Sequence, residues 1–230
     1  MNAPTPNPLL GIGLYTAAES ARLTGISGRK IIRWLRGHDI GAKHYDPLWT
    51  PQVSIPEEGL YLGFRDLMEL RAAAAIIGEG VSPVAVRKAI DEARRLDIGS
   101  HPLSSRAFRT DGKAIFLEIA NETGDVVLLD LLKRQFAFQE ILKQSLRDTE
   151  FDADVPVRWW PRRRQAGILV DPTRSFGQPI EADSGIPTAV LAAAAEAEGG
   201  AEQAARLWLV PVAAIRRAIE FETRLASRAA

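Results

Sequence analysis

Apolar residues recur three and four positions apart over much of the chain and alternate only briefly, so the pattern predicts a mainly helical protein with small β elements. Tyr15-Thr16-Ala17-Ala18-Glu19 opens a first short helix: Thr16 can cap the free amides of its first turn, and Glu19 three residues later completes a capping box. That helix stops at Gly25. Ser27 caps a second, which runs to about Arg36 and is stopped by Gly37, with Ile31, Ile32 and Leu35 expected to face a core. Two short helices joined by a tight turn containing glycine form a helix-turn-helix pattern. Residues 40–62 hold Pro47, Pro51, Pro56, Gly41 and Gly59, which predicts hairpin or loop. Two further helices are expected. One covers Phe64–Gly78, with Leu67, Leu70, Ala74 and Ile77 on one face; the other runs from the cap Ser82-Pro83 to Leu96, with Val86, Ile90 and Ala93 as its stripe.

The middle changes character. Ala114–Leu117 and Val126–Leu129 are short apolar runs separated by Asn121-Glu122-Thr123-Gly124-Asp125, a pattern that predicts a β-hairpin. Leu131–Leu146 is helix-like. An acidic segment, Asp148 to Asp154, then meets Trp159-Trp160-Pro161-Arg162-Arg163-Arg164, and the change of sign suggests a linker or a binding seam. The last part opens with a strand, Ile168-Leu169-Val170, and a Pro/Gly-rich loop in which Phe176 is expected to plug the core. Helices follow at 187–197, 201–208 and 211–224. Residues 205–211 with Ile215 and Ile219 can be laid on residues 21–27 with Ile31 and Leu35 at a constant offset of 184, so the chain carries a second helix-pair unit, with Leu209 where the first has Gly25. The expected organisation is a flexible 1–13, a DNA-binding domain at 14–97, a mixed α/β region at 98–147, the seam at 148–166 and a helical domain at 167–230. The fold class is α+β.

Composition narrows the function. The chain has 230 residues, 46% hydrophobic and 25% charged, with 29 basic and 29 acidic residues. It can bury a core, and its zero net charge argues against a generic polycation, so any DNA contact must come from a local patch. There is no cysteine, which excludes disulfides, thiol nucleophiles and Cys-rich metal sites. The start lacks a signal-peptide pattern and no apolar run reaches the roughly 18 residues of a bilayer span, so a soluble cytoplasmic protein without membrane contact is expected. His38, His44 and His101 show no metal spacing, no phosphate-binding or nucleophile motif occurs, and Glu57-Glu58 sits in a loop where solvation is the default. No enzyme activity, cofactor or metal is expected.

Charge placement marks one candidate surface. Arg22, Arg29, Lys30, Arg33 and Arg36 are the charged residues between 22 and 36, with no carboxylate among them. Arg29, Arg33 and Arg36 are spaced four and three apart and share one face of the second helix. Guanidinium forks outward and aliphatic groups inward suit reading of a major groove, and Ser27 stands at the helix start. The bland alternative is a solvated cationic face; the capped helix and glycine turn in front of it favour DNA. Trp159, Trp160, Arg162, Arg163 and Arg164 are candidates for partner contact, since Trp and Arg are favoured at interfaces, with a nucleic-acid backbone or simple packing onto the domain as alternatives. In the second helix pair Glu220 and Glu222 follow Arg216 and Arg217, which favours dimer or partner contacts over DNA.

Leu14–Ser27 followed by Ile32-Arg33-Trp34-Leu35-Arg36-Gly37, with Phe64–Arg71 and Gly80–Ile90, resembles the MerR-type winged-helix DNA-binding domain. The resemblance implies that Arg29, Lys30, Arg33 and Arg36 contact DNA, with residues 40–55 as a wing, longer and richer in proline than the family pattern. Ile168–Ile180, Gly185–Thr188 and Ala214–Glu222 are similar to the antitoxin-like domain of unknown function 433, whose members are commonly encoded beside a PIN-like ribonuclease toxin. The combination resembles long VapB-type antitoxins. It implies a homodimer that binds double-stranded operator DNA, represses its own operon and neutralises a PIN-like toxin protein. The alternative is a MerR-like regulator without a toxin partner, whose C-terminal domain dimerises or senses a small molecule. A third possibility is a scaffold in which neither helix pair touches DNA.

Overall fold

The computed structural model describes residues 10–53, 59–133 and 135–228. Most of the expected N-terminal lead-in, Ile55 of the expected wing, Pro56 and the Glu57-Glu58 pair lie outside the described residues.

A helix-turn-helix opens the fold. Tyr15–Thr16 (β1) leads into Ala17–Thr24 (α1). The Thr16 amide and hydroxyl donate to Glu19 Oε2, both at 2.8 Å, and the Glu19 amide donates back to Thr16 Oγ1 at 3.2 Å, which is the capping box expected from the sequence. Gly25 closes α1 at φ 77°, a left-handed position that glycine takes without strain. Gly28–Arg36 (α2) follows. Ser27 precedes it without a side-chain cap bond; its carbonyl accepts the amides of Lys30 and Ile31. α2 buries Ile31, Trp34 and Leu35. Ile32, expected in that stripe, is 42% exposed, because it sits about 100° round the helix from Ile31, whereas Trp34 and Leu35 flank Ile31 one turn on.

His38–Ile40 (β2) and Lys43–Tyr45 (β3) pair as a hairpin, and Tyr61–Leu62 (β4) pairs antiparallel with β1. Phe64–Gly78 (α3) and Pro83–Arg95 (α4) fall where the pattern predicts them, with Ser82 Oγ accepting the Ala85 amide. α3 carries two buried carboxylates. Asp66 accepts from Trp49 Nε1 (2.8 Å), the Gln52 amide (2.8 Å) and the Gly63 amide (2.9 Å), and meets His101 Nε2 at 2.8 Å. Glu69 accepts the amides of Leu103 and Ser104, in the short 3-10 turn Pro102–Ser104. Burial pushes the Glu69 carboxyl up, outweighing the opposing pull of His101 and those donors.

The hairpin expected at 114–129 is not there. Arg106–Thr123 (α5), Val126–Lys133 (α6) and Gln135–Ser145 (α7) occupy the middle. Ile115, Phe116, Ile119 and Ala120 are buried at helical spacing, so the first apolar run is one face of α5. The presumed turn residues end one helix and start the next: Gly124, at φ 67°, donates to the Ala120 carbonyl, and Asp125 Oδ1 accepts the Leu128 amide. Phe116 meets Phe108 and Phe138 edge to face at 5.9 and 5.3 Å, tying α5 to α7.

Thr149–Asp152 (β5), Val155–Trp159 (β6), Ile168–Val170 (β7) and Pro179–Glu181 (β8) form one antiparallel sheet in chain order. Segment 148–166 therefore contributes two strands. Thr188–Ala197 (α8), Ala201–Trp208 (α9) and Val212–Ser227 (α10) complete the chain close to the expected boundaries. One apolar core joins α1 to α7, the sheet and Phe221 of α10, and a smaller one lies among α8, α9 and α10. The two ends of the chain interlock: Tyr15 Oη donates to the Gly177 carbonyl at 2.8 Å, and the Leu14 amide donates to the Phe176 carbonyl at 3.0 Å. Phe176, expected to be a core plug, is 63% exposed. Its backbone, at φ 53°, commits the carbonyl to Leu14 and leaves the ring in solvent.

Two consequences can be measured. Asp66→Ala leaves its buried N–H donors unpaired and is expected to destabilise the fold by about 3 kcal/mol in urea unfolding. Burial alone would raise the Glu181 carboxyl, but the Ser184 donors and Arg217 outweigh it and hold it below the usual carboxylate range. A depressed carboxylate adds stability above its unfolded pKa and gives it up as pH falls through the folded one. The urea midpoint is expected to drop with acidification below the ordinary carboxylate range, and less steeply in Arg217→Ala.

Candidate nucleic-acid interface

α2 presents Arg29, Ile32, Arg33 and Arg36 at spacings of three, four and seven, which places them on one side of the helix, and all four are exposed. Among the described residues, no carboxylate makes an ion pair with Arg29, Lys30, Arg33 or Arg36; the neutralising acids lie elsewhere. Lys30 Nζ rests 5.0 Å above the Trp34 ring, and Arg33 Nη2 lies 2.9 Å from His38 Nε2. A guanidinium can only donate, so His38 Nε2 accepts, and the proton of the neutral ring belongs on Nδ1. Nδ1 is buried and has no partner among the described residues.

The β2–β3 hairpin stands beside α2. Gly37 makes this turn possible: its φ is 72°, and a Cβ there would meet the Tyr45 carbonyl at 2.5 Å. The hairpin carries exposed Lys43, whose Nζ lies 4.9 Å from the Tyr45 ring, and exposed His44, hydrogen-bonded to Asp39 at 2.7 Å. Ser27 is exposed in front of α2.

The remaining candidates fall elsewhere. Arg22 is on α1 and lines a cavity of about 140 Å³ with Glu19 and Glu222, where α1 meets α10. Trp159 is 5% exposed under the Arg71 guanidinium, which stacks on its ring at 4.3 Å. Trp160 donates to Glu150 at 2.9 Å. Arg162 pairs with Glu220 at 3.1 Å and Arg164 with Glu150 at 3.0 Å, while Arg163 is exposed. In the second helix pair Arg216 is matched to Glu202 at 2.5 Å, Arg217 to the buried Glu181 and Arg224 to Glu220 at 2.9 Å, while Arg206 of α9 is exposed. The fold thus leaves a cluster of unmatched cations on α2, and the α9–α10 pair shows no such surface.

Sequence reasoning missed His38 and Arg87 as neighbours of α2. His38 directly follows the Gly37 stop and could have been noticed; Arg87 arrives from α4 through tertiary packing. Among the described residues no group of three or more His, Asp or Glu side chains could hold a metal, and no helix is long and apolar enough to cross a membrane.

No protein-family model matches the chain. It is 25% identical over 193 residues to the "Putative antitoxin VapB45" of Mycobacterium tuberculosis, an alignment covering 77% of this chain and 80% of that protein. The crystal structure of Rv2018 from Mycobacterium tuberculosis has the same fold, with a TM-score of 0.69 at 23% identity over 91% of this chain and 99% of that one.

Among the described residues, Arg29 and Arg36 make no side-chain hydrogen bond or ion pair, unlike Arg33, which meets His38. Arg29→Ala and Arg36→Ala are each expected to change stability by less than about 0.5 kcal/mol, read as the urea midpoint, as for surface positions without partners.

Proposed function

We propose that the chain is a DNA-binding antitoxin of a type II toxin–antitoxin system, which represses its own operon and neutralises a PIN-like ribonuclease toxin. The observation that carries the DNA-binding part is the exposed, unneutralised face of α2 in the second position of a helix-turn-helix. The arginine forks offer paired donors for guanine or for phosphate, and Ile32 between them offers an apolar group for a thymine methyl. The β2–β3 hairpin, with Lys43, takes the place of a wing of MerR type. The likeness to VapB45, named as an antitoxin, supports the antitoxin part. The mode of action is occlusion. As a homodimer, the protein sets two α2 helices about one DNA turn apart, so the operator is an inverted repeat. Toxin contact draws on the 160–164 segment, with exposed Arg163 foremost and half-buried Trp160 beside it.

Gel-shift titration on DNA from upstream of the chain's own reading frame tests the first part. Arg29→Ala combined with Arg33→Ala is expected to weaken binding by about 2–6 kcal/mol, at about 1–3 kcal/mol per lost base contact, and to flatten the salt dependence. Wild-type affinity in the double variant would sink DNA reading by α2. Co-expression with the neighbouring gene product followed by size-exclusion chromatography tests the second part. Co-elution is expected, and separate elution would leave a regulator without a toxin.

A further inference from the structure

Behind the arginine face of α2 lies a second feature that DNA reading does not use. Between α2, the β2–β3 hairpin and the first turn of α4 there is a cavity of about 300 Å³. Leu48, Ile77 and Val84 give it apolar lining. Three flat rings also line it, Trp34, His38 and Tyr45, the last two stacked with centroids 5.1 Å apart at 13°. Its cations are Lys30, Arg33 and Arg87. Among the described residues Asp46 is the one lining carboxylate, and it is already committed to Arg87 at 3.1 Å. Among the described residues, no carboxylate pairs with Lys30 or Arg33, and His38 Nδ1 has no acceptor.

Concave, largely apolar sites with a few convergent polar groups are where small ligands bind. The lining here specifies the ligand's chemistry: a flat apolar body to lie among the rings, and an anionic end to meet Lys30 and Arg33 and supply an acceptor to His38. A backbone phosphate would meet the cations but leave the rings and the apolar lining unused. We propose that this cavity binds a small aromatic carboxylate, and that its occupancy releases the protein from DNA. Arg33 decides the coupling, because it belongs both to the exposed face of α2 and to the cavity wall. A carboxylate offers its guanidinium a charge-assisted, bidentate partner in place of the single neutral bond to His38, and a guanidinium so held is withdrawn from the duplex. Binding of ligand and of DNA then oppose each other reciprocally.

The ligand half stands on the cavity alone; the release half rests on the DNA-binding reading, and the experiment separates them. Full-length protein is titrated calorimetrically with salicylate, benzoate and indole-3-acetate, with inorganic phosphate as control. Saturable binding of one aromatic carboxylate per chain is expected, with none for phosphate. Val84→Trp, which fills the cavity from α4, is expected to abolish that heat while keeping the circular dichroism spectrum and thermal midpoint. His38→Phe, which keeps a ring but loses the donor, is expected to weaken it about tenfold. With the bound carboxylate present, operator affinity is expected to fall about tenfold in the wild type and to stay unchanged in Val84→Trp. Absence of saturable heat with all three carboxylates overturns the site, as does heat that survives both substitutions. Salicylate binding in a protein that ignores its operator supports the site and sinks the DNA reading instead.

Discussion

The architecture depends on a carboxylate that water does not reach. Asp66 gathers an indole, two backbone amides and an imidazole from three separate stretches of chain, each between 2.8 and 2.9 Å away. Those partners are the segment after the hairpin, the start of α3 and the turn that introduces α5. One helical turn on, Glu69 holds the next two amides of that same turn. A buried carboxyl group is tolerated only when hydrogen-bond partners surround it, and once they do, those partners have little freedom to be anywhere else. α3 therefore ties together the segment after the hairpin, its own start and the turn that leads into the helical middle.

The two helix pairs show how one scaffold is given different surfaces. Both turn through a left-handed residue whose amide closes the preceding helix, Gly25 in one and Leu209 in the other. In the first pair the flanking Leu23 is buried and the cations of the second helix are left unmatched. In the second pair Leu207 is exposed and Arg216 and Arg217 are consumed by carboxylates. Leu209 is 91% exposed at a backbone conformation that glycine would adopt without strain, so neither burial nor local geometry accounts for a leucine there.

What could be read in advance follows from where the determining chemistry resides. α1, α3 and α4 carry their own start and stop signals, Thr16 with Glu19, Ser82 with Pro83, and Gly25, and their expected bounds agree with the structure closely. The arginine face of α2 is equally local, a matter of spacing. The middle was misjudged because a short apolar run has no period long enough to separate strand from helix, and because Gly124 and Asp125 serve equally well as a hairpin turn or as two caps. The strands β5 and β6 are hidden by the carboxylates of 148–154 and the arginines of 162–164, which resemble a solvated linker until Trp159 is seen under Arg71. Ile32 and Phe176 went wrong for one reason: apolar character was equated with burial. Arg87 joins His38 and Arg33 only through long-range packing, and nothing in its neighbouring residues announces it.

The hydroxyl of Tyr15 reaching the carbonyl of Gly177 spans 162 positions, and this fixes an order of events at the ribosome. The N-terminal pair emerges early, yet groups that complete its surroundings, Phe176, Gly177 and the α10 residue Phe221, are synthesised much later. A nascent or prematurely ended polypeptide thus lacks the lock on its first strand. The first strand is secured only after residue 177 has left the exit tunnel.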